Sequence, residues 1–366
     1  MRVFYDHQIF TLQRYGGISR YFREIVPRIA TMRGSEVSLS MGLSINRYGL
    51  EKVAGVRHVL SLRGVDNPAA RVPLGIVNNL VFQALSAVLQ ADVYHPTYYG
   101  HLRGPRRARR VVTVHDMTHE ILPDQLEGRG TGWVQKNKRL SVENADLVLT
   151  VSESTKRDLV AILGVDPARV RVTHLATSMR QPQAPPLPPK RPFILYVGSR
   201  AKYKNFARLL ECYAGLPEHH RTHDLVCFGG GPFSEGETKL IASRGLGRKV
   251  RQEAGADDRL AILYSSADLF VYPSQYEGFG IPALEAMQLG CPVLASNASS
   301  LPEVVGEAGM LFDPNDPADL ASKIRSLLTD SRLRERLSVA GRKRARQFTW
   351  EKCASETLDA YRAVSS

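Results

Sequence analysis

Residues 268–285 read Asp268-Leu-Phe-Val-Tyr-Pro-Ser-Gln-Tyr-Glu-Gly-Phe-Gly-Ile-Pro-Ala-Leu-Glu285, a strand followed at once by a helix start. The apolar run Asp268-Leu-Phe-Val-Tyr-Pro273 has the length and unbroken hydrophobicity of a parallel strand buried on both faces. Pro282 suits the first residue of a helix running to about Leu289, where its missing N–H is not needed. Gly278 and Gly280 permit dihedrals other residues avoid and let the backbone approach a ligand closely. The N–H groups around Phe279, Gly280 and Ile281 would then make an anion site at a helix N-terminus. Glu277 stands before the turn and Glu285 is placed in the first helical turn. Amides for phosphate and carboxylates for hydroxyls suit a phosphorylated ligand carrying hydroxyls.

Outward from this stretch, short β-like runs alternate with amphipathic helical ones through the whole chain. That alternation predicts doubly wound α/β domains. In the first half the runs are Arg2-Val-Phe-Tyr5, Asp92-Val-Tyr-His95, Val111-Val-Thr-Val-His115 and Leu147-Val-Leu-Thr-Val151. A helix is expected from Ile18 after the Gly16-Gly17 loop, kinked at Pro27, and a strongly apolar one over residues 74–89. Six prolines fall within residues 181–192, a composition that stiffens a linker and forbids a helix or sheet interior. The second half restarts with Phe193-Ile-Leu-Tyr-Val-Gly198, a helix from about Phe206, then Leu225-Val-Cys-Phe228 and Pro292-Val-Leu-Ala295. The domains expected are 1–178, a linker at 179–192, 193–348, and a final helical segment at 349–366.

The 366 residues, 43% of them hydrophobic, suffice for two cores. No apolar run reaches the length of a transmembrane helix, and residues 1–10 lack the pattern of a secretory signal. Cys212, Cys227, Cys291 and Cys353 stand far apart, the pattern of free thiols in a reducing compartment rather than a metal or disulfide framework. The net charge of +13 is uneven: residues 1–178 hold 24 Lys/Arg against 15 Asp/Glu. Its densest patch, His101-Leu-Arg-Gly-Pro-Arg-Arg-Ala-Arg-Arg110, is either a solvated face or a surface for anionic lipid headgroups. No nucleic-acid motif or interleaved aromatics accompany it. Gly229-Gly-Gly231 is not a dinucleotide fingerprint.

The order of these pieces resembles family 4 glycosyltransferases of the two-Rossmann-domain (GT-B) type. Tyr15-Gly-Gly-Ile-Ser-Arg-Tyr21, Tyr196-Val-Gly-Ser-Arg-Ala-Lys-Tyr-Lys-Asn-Phe206, Thr113-Val-His-Asp116, Thr150-Val-Ser-Glu-Ser154, and residues 272–286 carry the likeness. It is greatest to bacterial O-antigen-type mannosyltransferases and spans almost the whole chain. The resemblance implies α/β domains facing across a cleft, the amino-terminal one for the acceptor and the carboxy-terminal one for the donor. The last helix would cross back to the first domain.

Glycosyl transfer from a nucleotide sugar builds negative charge on a departing diphosphate, so positive potential must already be in place. The chain contains no Asp-x-Asp sequence of the kind that holds a metal in some glycosyltransferases. The resemblance assigns the diphosphate to Lys204 and Arg200, with Arg200 displaced from the commoner position. It assigns the ribose to Glu285, the transferred sugar to Glu277 and His115, and further donor contacts to Gly17, Gly278, Phe279, Gly280 and Ile281. Gly16 and Arg20 would meet the acceptor. Implied overall is retaining transfer of a hexose, mannose from GDP-mannose, without a metal or other cofactor. The acceptor would be a saccharide or lipid-linked saccharide in cell-surface polysaccharide synthesis, in the cytoplasm or peripherally at the anionic inner membrane face, with no nucleic acid. Two other readings stay open: a nucleotide-sugar 2-epimerase of the same architecture, and a non-catalytic basic module binding membrane or nucleic acid.

Overall fold

The computed structural model describes residues 1–50, 53–63, 71–100, 102–126, 130–183, 189–220 and 222–365. Residues 184–188 of the expected linker and His101 of the basic patch lie outside these. The chain divides into two compact units: residues 1–120, 129–175 and 350–366 form one, and residues 121–128 and 176–349 the other.

Among the described residues the amino-terminal unit has a seven-stranded parallel sheet. Its strands are β1 (Arg2–Tyr5), β2 (Glu36–Ser44), β3 (Val56–Arg63), β4 (Val93–His95), β5 (Arg109–Val114), β6 (Leu147–Thr150) and β7 (Val170–Val172), in the order β3-β2-β1-β4-β5-β6-β7. The carboxy-terminal unit has six: β8 (Phe193–Val197), β9 (Asp224–Phe228), β10 (Val250–Glu253), β11 (Leu269–Tyr272), β12 (Val293–Ser296) and β13 (Met310–Phe312), in the order β10-β9-β8-β11-β12-β13. In both sheets the strand order reverses beside the first strand of the unit, between β1 and β4 and between β8 and β11. Ligands of such sheets bind outside the carboxyl ends at that switch.

The central strands form because continuous apolar runs can bury both faces under helices. Every residue of β8, β9, β11 and β12 is buried. Leu195, Val271 and Leu294 are fully sealed, and truncating one such side chain to Ala costs about 2–5 kcal/mol. The strands that the sequence did not reveal are β2, β3, β7, β10 and β13. β10 reads Val-Arg-Gln-Glu with only Val250 buried, because a sheet edge needs no two-sided apolar run.

Pro27 lies inside an unbroken helix, Gly17–Thr31. The final helix, Trp350–Ser365, belongs to the amino-terminal unit, where it lies against Gly17–Thr31. Its Tyr361 hydroxyl sits 3.0 Å from the Tyr5 hydroxyl and 2.5 Å from His95 Nδ1. His95 Nε2 is in turn 2.9 Å from Thr113 Oγ1. Burial holds the His95 imidazole down to about 3, so it enters this buried chain of hydroxyls uncharged.

Candidate active site

At the β8/β11 switch two loops leave adjacent strands. The one after β8 ends in a 3-10 turn, Lys202–Lys204, closed by Asn205 at a left-handed φ of 58°. Asparagine tolerates that conformation better than most side chains, and its Nδ2 donates to the Pro314 carbonyl at 3.2 Å. The turn brings Lys204 Nζ to 2.6 Å from Glu277 Oε1, a carboxylate 73 residues later on the loop after β11. Both side chains remain partly open, at 15% and 11% exposure. The ammonium also lies 5.0 Å from the Tyr203 ring centre and 5.9 Å from that of Tyr272. The cation assigned to phosphate and the carboxylate assigned to sugar are therefore one partly exposed pair.

The Glu277 loop is held from β12's carboxyl end. Glu277 N–H donates to Ser299 Oγ at 2.8 Å, and the Ser300 hydroxyl is 2.8 Å from the carbonyls of both Glu277 and Phe279. Ser299 has φ 48°, unusual for a residue with a Cβ and a form of strain that gathers at functional sites. Neither serine carried a signal in the sequence beyond its place after a strand. Gly280 has φ 105°, and a Cβ there would come within 2.7 Å of Leu301 Cδ2, so only glycine fits. Phe279 turns inward, edge-on to Phe348 at 5.7 Å, anchoring the loop; any ligand contact it makes is through its backbone.

The helix that follows is Ile281–Gln288, with Ile281 rather than Pro282 as its first residue and no acid in its first turn. This corrects the expected position of Glu285, which is the fifth residue of the helix rather than the fourth, just past the first turn, because the left-handed Gly280 is the N-cap. Glu285 is buried and accepts from the Tyr264 hydroxyl at 3.3 Å. Gly278 lies between Glu277 and the helix, and Ile281 opens the helix.

Arg200 is not brought to this pair. Its guanidinium pairs with Glu237 at 2.8 Å and donates to the carbonyls of Gly229, Gly231 and Pro232 at 3.1, 2.9 and 2.6 Å. It also covers the Phe233 ring at 4.9 Å. The planar fork matches that run of carbonyls, so Arg200 shapes the triple-glycine loop after β9. The glycines at 229, 230 and 231 all have positive φ.

In the amino-terminal unit, Gly16 caps the helix Gly17–Thr31. Gln13 Oε1 accepts the Ser19 N–H at 3.2 Å, so part of that helix start already has a partner. Arg20 lies 5.9 Å from the Tyr48 ring. His115 follows β5, its N–H donating to the Tyr99 hydroxyl at 3.3 Å and its ring edge-on to Tyr21 at 5.2 Å. Burial, with Lys138 adding to it against Asp116, lowers His115 to about 4, so the imidazole is neutral at pH 7. Burial alone would raise the Asp116 carboxyl, but Lys138, the Thr118 N–H, His119 and His115 together hold it below the ordinary range.

Lys138 is the residue the sequence missed. It is buried, donating to the Asp116 carbonyl at 2.9 Å and to Glu120 Oε2 at 2.7 Å. Its helix, Thr131–Glu143, looks polar, yet Val134, Asn137, Lys138 and Ser141 are buried at i, i+3, i+4 and i+7. Three of those four side chains are polar, so no apolar stripe in the sequence announced the burial.

The family model described as Glycosyltransferase Family 4 matches residues 15–178, and that of Glycosyl transferases group 1 matches residues 178–344. An O-antigen chain mannosyltransferase B of Escherichia coli is 32% identical, across 95% of this chain and 96% of its own. This chain belongs to glycosyltransferase family 4. An alpha-maltose-1-phosphate synthase of Mycolicibacterium smegmatis is 30% identical over the full length of both chains. A sucrose-phosphate synthase structure from Thermosynechococcus elongatus superposes with a TM-score of 0.78 at 22% identity, covering 99% of this chain and 98% of that one. The family 4 chain is thus a glycosyltransferase of GT-B fold, a hexosyltransferase taking nucleotide-sugar donors and saccharide acceptors.

Proposed function

We propose that this glycosyltransferase moves mannose from GDP-mannose to a saccharide or lipid-linked saccharide of a cell-surface polysaccharide, retaining anomeric configuration. The Lys204–Glu277 pair at the switch of the carboxy-terminal sheet carries the reading. The ammonium has three donors, so it can keep Glu277 and still take a phosphate oxygen. The start of the helix Ile281–Gln288 adds positive potential for the same oxygens. As the C1–O bond to the diphosphate breaks, charge grows on that oxygen and these groups already face it. The acceptor oxygen bonds C1 on the face the diphosphate leaves, and the hydroxyl proton passes to the leaving phosphate oxygen. Glu277 orients the sugar hydroxyls, Glu285 takes the ribose, and no resident metal or other cofactor is assigned a step. The likeness to the Escherichia coli O-antigen chain mannosyltransferase supports mannose over other hexoses. Calorimetric titration with GDP and UDP tests the base: GDP binds more tightly, and tighter UDP binding would sink GDP-mannose as the donor. Mannose transfer that persists in EDTA is expected; its loss on chelation overturns the metal-free part.

We further infer a peripheral contact of the amino-terminal unit with anionic membrane. The helix Arg71–Val88 contains no acid and exposes Ile76, Val77, Leu80 and Val88, the last two at 68% and 78%. Phe82 of this helix and Leu102 of the basic patch share one small core cluster, and Arg103, Arg106 and Arg107, next in sequence to Leu102, are exposed. Arg109 and Arg110 serve the fold instead, pairing with Asp146 and with the Leu102 carbonyl. Among the described residues no helix is long and apolar enough to cross a membrane, which leaves surface attachment. Co-sedimentation with phosphatidylglycerol vesicles but not phosphatidylcholine ones is expected, and its loss in Leu80→Asp; equal behaviour on both lipids counts against the contact.

A further inference from the structure

A cavity of about 500 Å³ lies within the carboxy-terminal unit, at the carboxyl ends of β11, β12 and β13. Its size falls in the range of small-molecule sites, roughly 300–1,000 Å³. Gln275 follows β11, Asn297 follows β12, Asp313 and Asn315 follow β13, and Gln125 completes its polar wall. None of the described residues lining it is cationic. Four amides and a carboxylate offer donors and acceptors in the mixture that ring hydroxyls need, and the carboxylate, with no cation beside it in the lining, disfavours a phosphate. Asp313 Oδ1 accepts the Asn315 N–H at 2.8 Å, which fixes the carboxylate beside the space.

Gln275 gives the independent observation. Its backbone N–H donates to the Tyr203 carbonyl at 2.8 Å, so the residue is held in place. Its side-chain Oε1 is nonetheless buried without a hydrogen-bond partner. A buried acceptor left so destabilises the fold, and a hydroxyl from an occupant would remove that cost. The cavity is also tied to the site chemistry. Gln275 stands two residues before Glu277, and Asn297 runs directly into Ser299 and Ser300, which hold the Glu277 loop.

We propose that this cavity is a saccharide subsite that takes a neutral, unphosphorylated hexose of the acceptor beside the Glu277 loop. The assignment rests on glycosyl transfer as the function and adds to it a place for the acceptor in the carboxy-terminal unit. Saturation-transfer NMR with methyl α-D-mannopyranoside, α-linked mannotriose and mannose 6-phosphate, on the full chain saturated with GDP, tests it. The two neutral probes are expected to bind and mannose 6-phosphate to bind less well. Gln275→Leu and Asn297→Leu are each expected to weaken mannotriose binding about five- to tenfold, with GDP affinity within twofold as the check on folding. With mannotriose as acceptor, KM rises by a similar factor and kcat changes less. No saccharide binding by the wild type, equal binding by the variants, or preference for mannose 6-phosphate overturns the subsite. Failure of the underlying function looks different: neither GDP nor UDP then binds, whatever the saccharides do.

Discussion

The two units each carry a buried or half-buried lysine–glutamate pair beside the carboxyl end of a central strand, and the pairs differ chiefly in access. Lys204 and Glu277 meet at 2.6 Å with 15% and 11% of their side chains exposed; Lys138 and Glu120 meet at 2.7 Å with 1% and 8% exposed. The first joins two loops across a sheet switch and keeps a face for a ligand. The second is sealed, and its lysine also holds the Asp116 carbonyl, fixing the turn on which His115 stands. One geometry thus serves two ends. An ion pair open to solvent can exchange a partner for a phosphate or a hydroxyl, whereas a sealed one can only hold its own chain in shape.

The sharpest way to break that contrast is to remove each lysine in turn. Lys138→Met leaves Glu120 buried without its cation, a loss of about 3–5 kcal/mol. At about 2–4 °C per kcal/mol for a unit of this size, the Tm of the amino-terminal unit should fall by roughly 10 °C in calorimetry. Adding Glu120→Gln removes the orphaned charge and recovers part of the loss; no recovery would mean that the pair is not what Lys138 serves. Next in size, Glu277→Gln should lower kcat for mannose transfer by about 10²–10³, the effect of losing a group aimed at developing charge, while Tm moves by only a few degrees. If Glu277→Gln instead melts like Lys138→Met and transfers sugar normally, the open pair is structural too.

What the sequence revealed follows the same division. Strands buried on both faces, such as Phe193–Val197 and Leu269–Tyr272, announce themselves as apolar runs, and the glycine-proline punctuation of 277–285 marks a helix start. The edge strands β3, β7, β10 and β13 do not, because half of each is solvated. The Lys204–Glu277 contact spans 73 residues, and no local pattern encodes a meeting set by the order of strands. Arg200 shows the same limit: a cation after a glycine-ended strand reads as a phosphate ligand, while its contacts to the Gly229, Gly231 and Pro232 carbonyls, 29 or more residues away, have no local pattern. Glu285 was misplaced by one residue, enough to take it past the first turn, because proline tolerates the second helical position as well as the first.

Acid should separate the units by a smaller amount. His95 and His115, both in the amino-terminal unit, are lowered to about 3 and about 4, burial being the main cause. A depressed histidine is neutral when folded and takes up a proton on unfolding, so its contribution is complete above about pH 6.5 and drains as pH falls toward the folded value. Between pH 7 and pH 5 each should cost on the order of 2 kcal/mol. His223 of the carboxy-terminal unit is also lowered by burial, though less far. The amino-terminal transition is therefore expected to lose Tm first on acidification; a carboxy-terminal transition that falls earlier would contradict the assignment of these two rings.

The smallest effect concerns Glu285, which is buried like Glu120 but answered by a neutral hydroxyl. Tyr264 donates to Glu285 Oε2 at 3.3 Å, a long bond, so its net worth lies at the lower end of the roughly 0.5–1.5 kcal/mol typical of one hydrogen bond. Tyr264→Phe keeps the ring, which packs edge-on to Phe270 at 5.5 Å, and removes only the donor. The carboxylate then loses orientation more than position. GDP affinity should weaken about two- to fivefold, since 1.4 kcal/mol would be tenfold, with Tm nearly unchanged and kcat at saturating donor hardly altered. A tighter GDP complex in Tyr264→Phe would mean that the hydroxyl competes with the ribose for Glu285, and the residue would then be gating the site rather than aligning it.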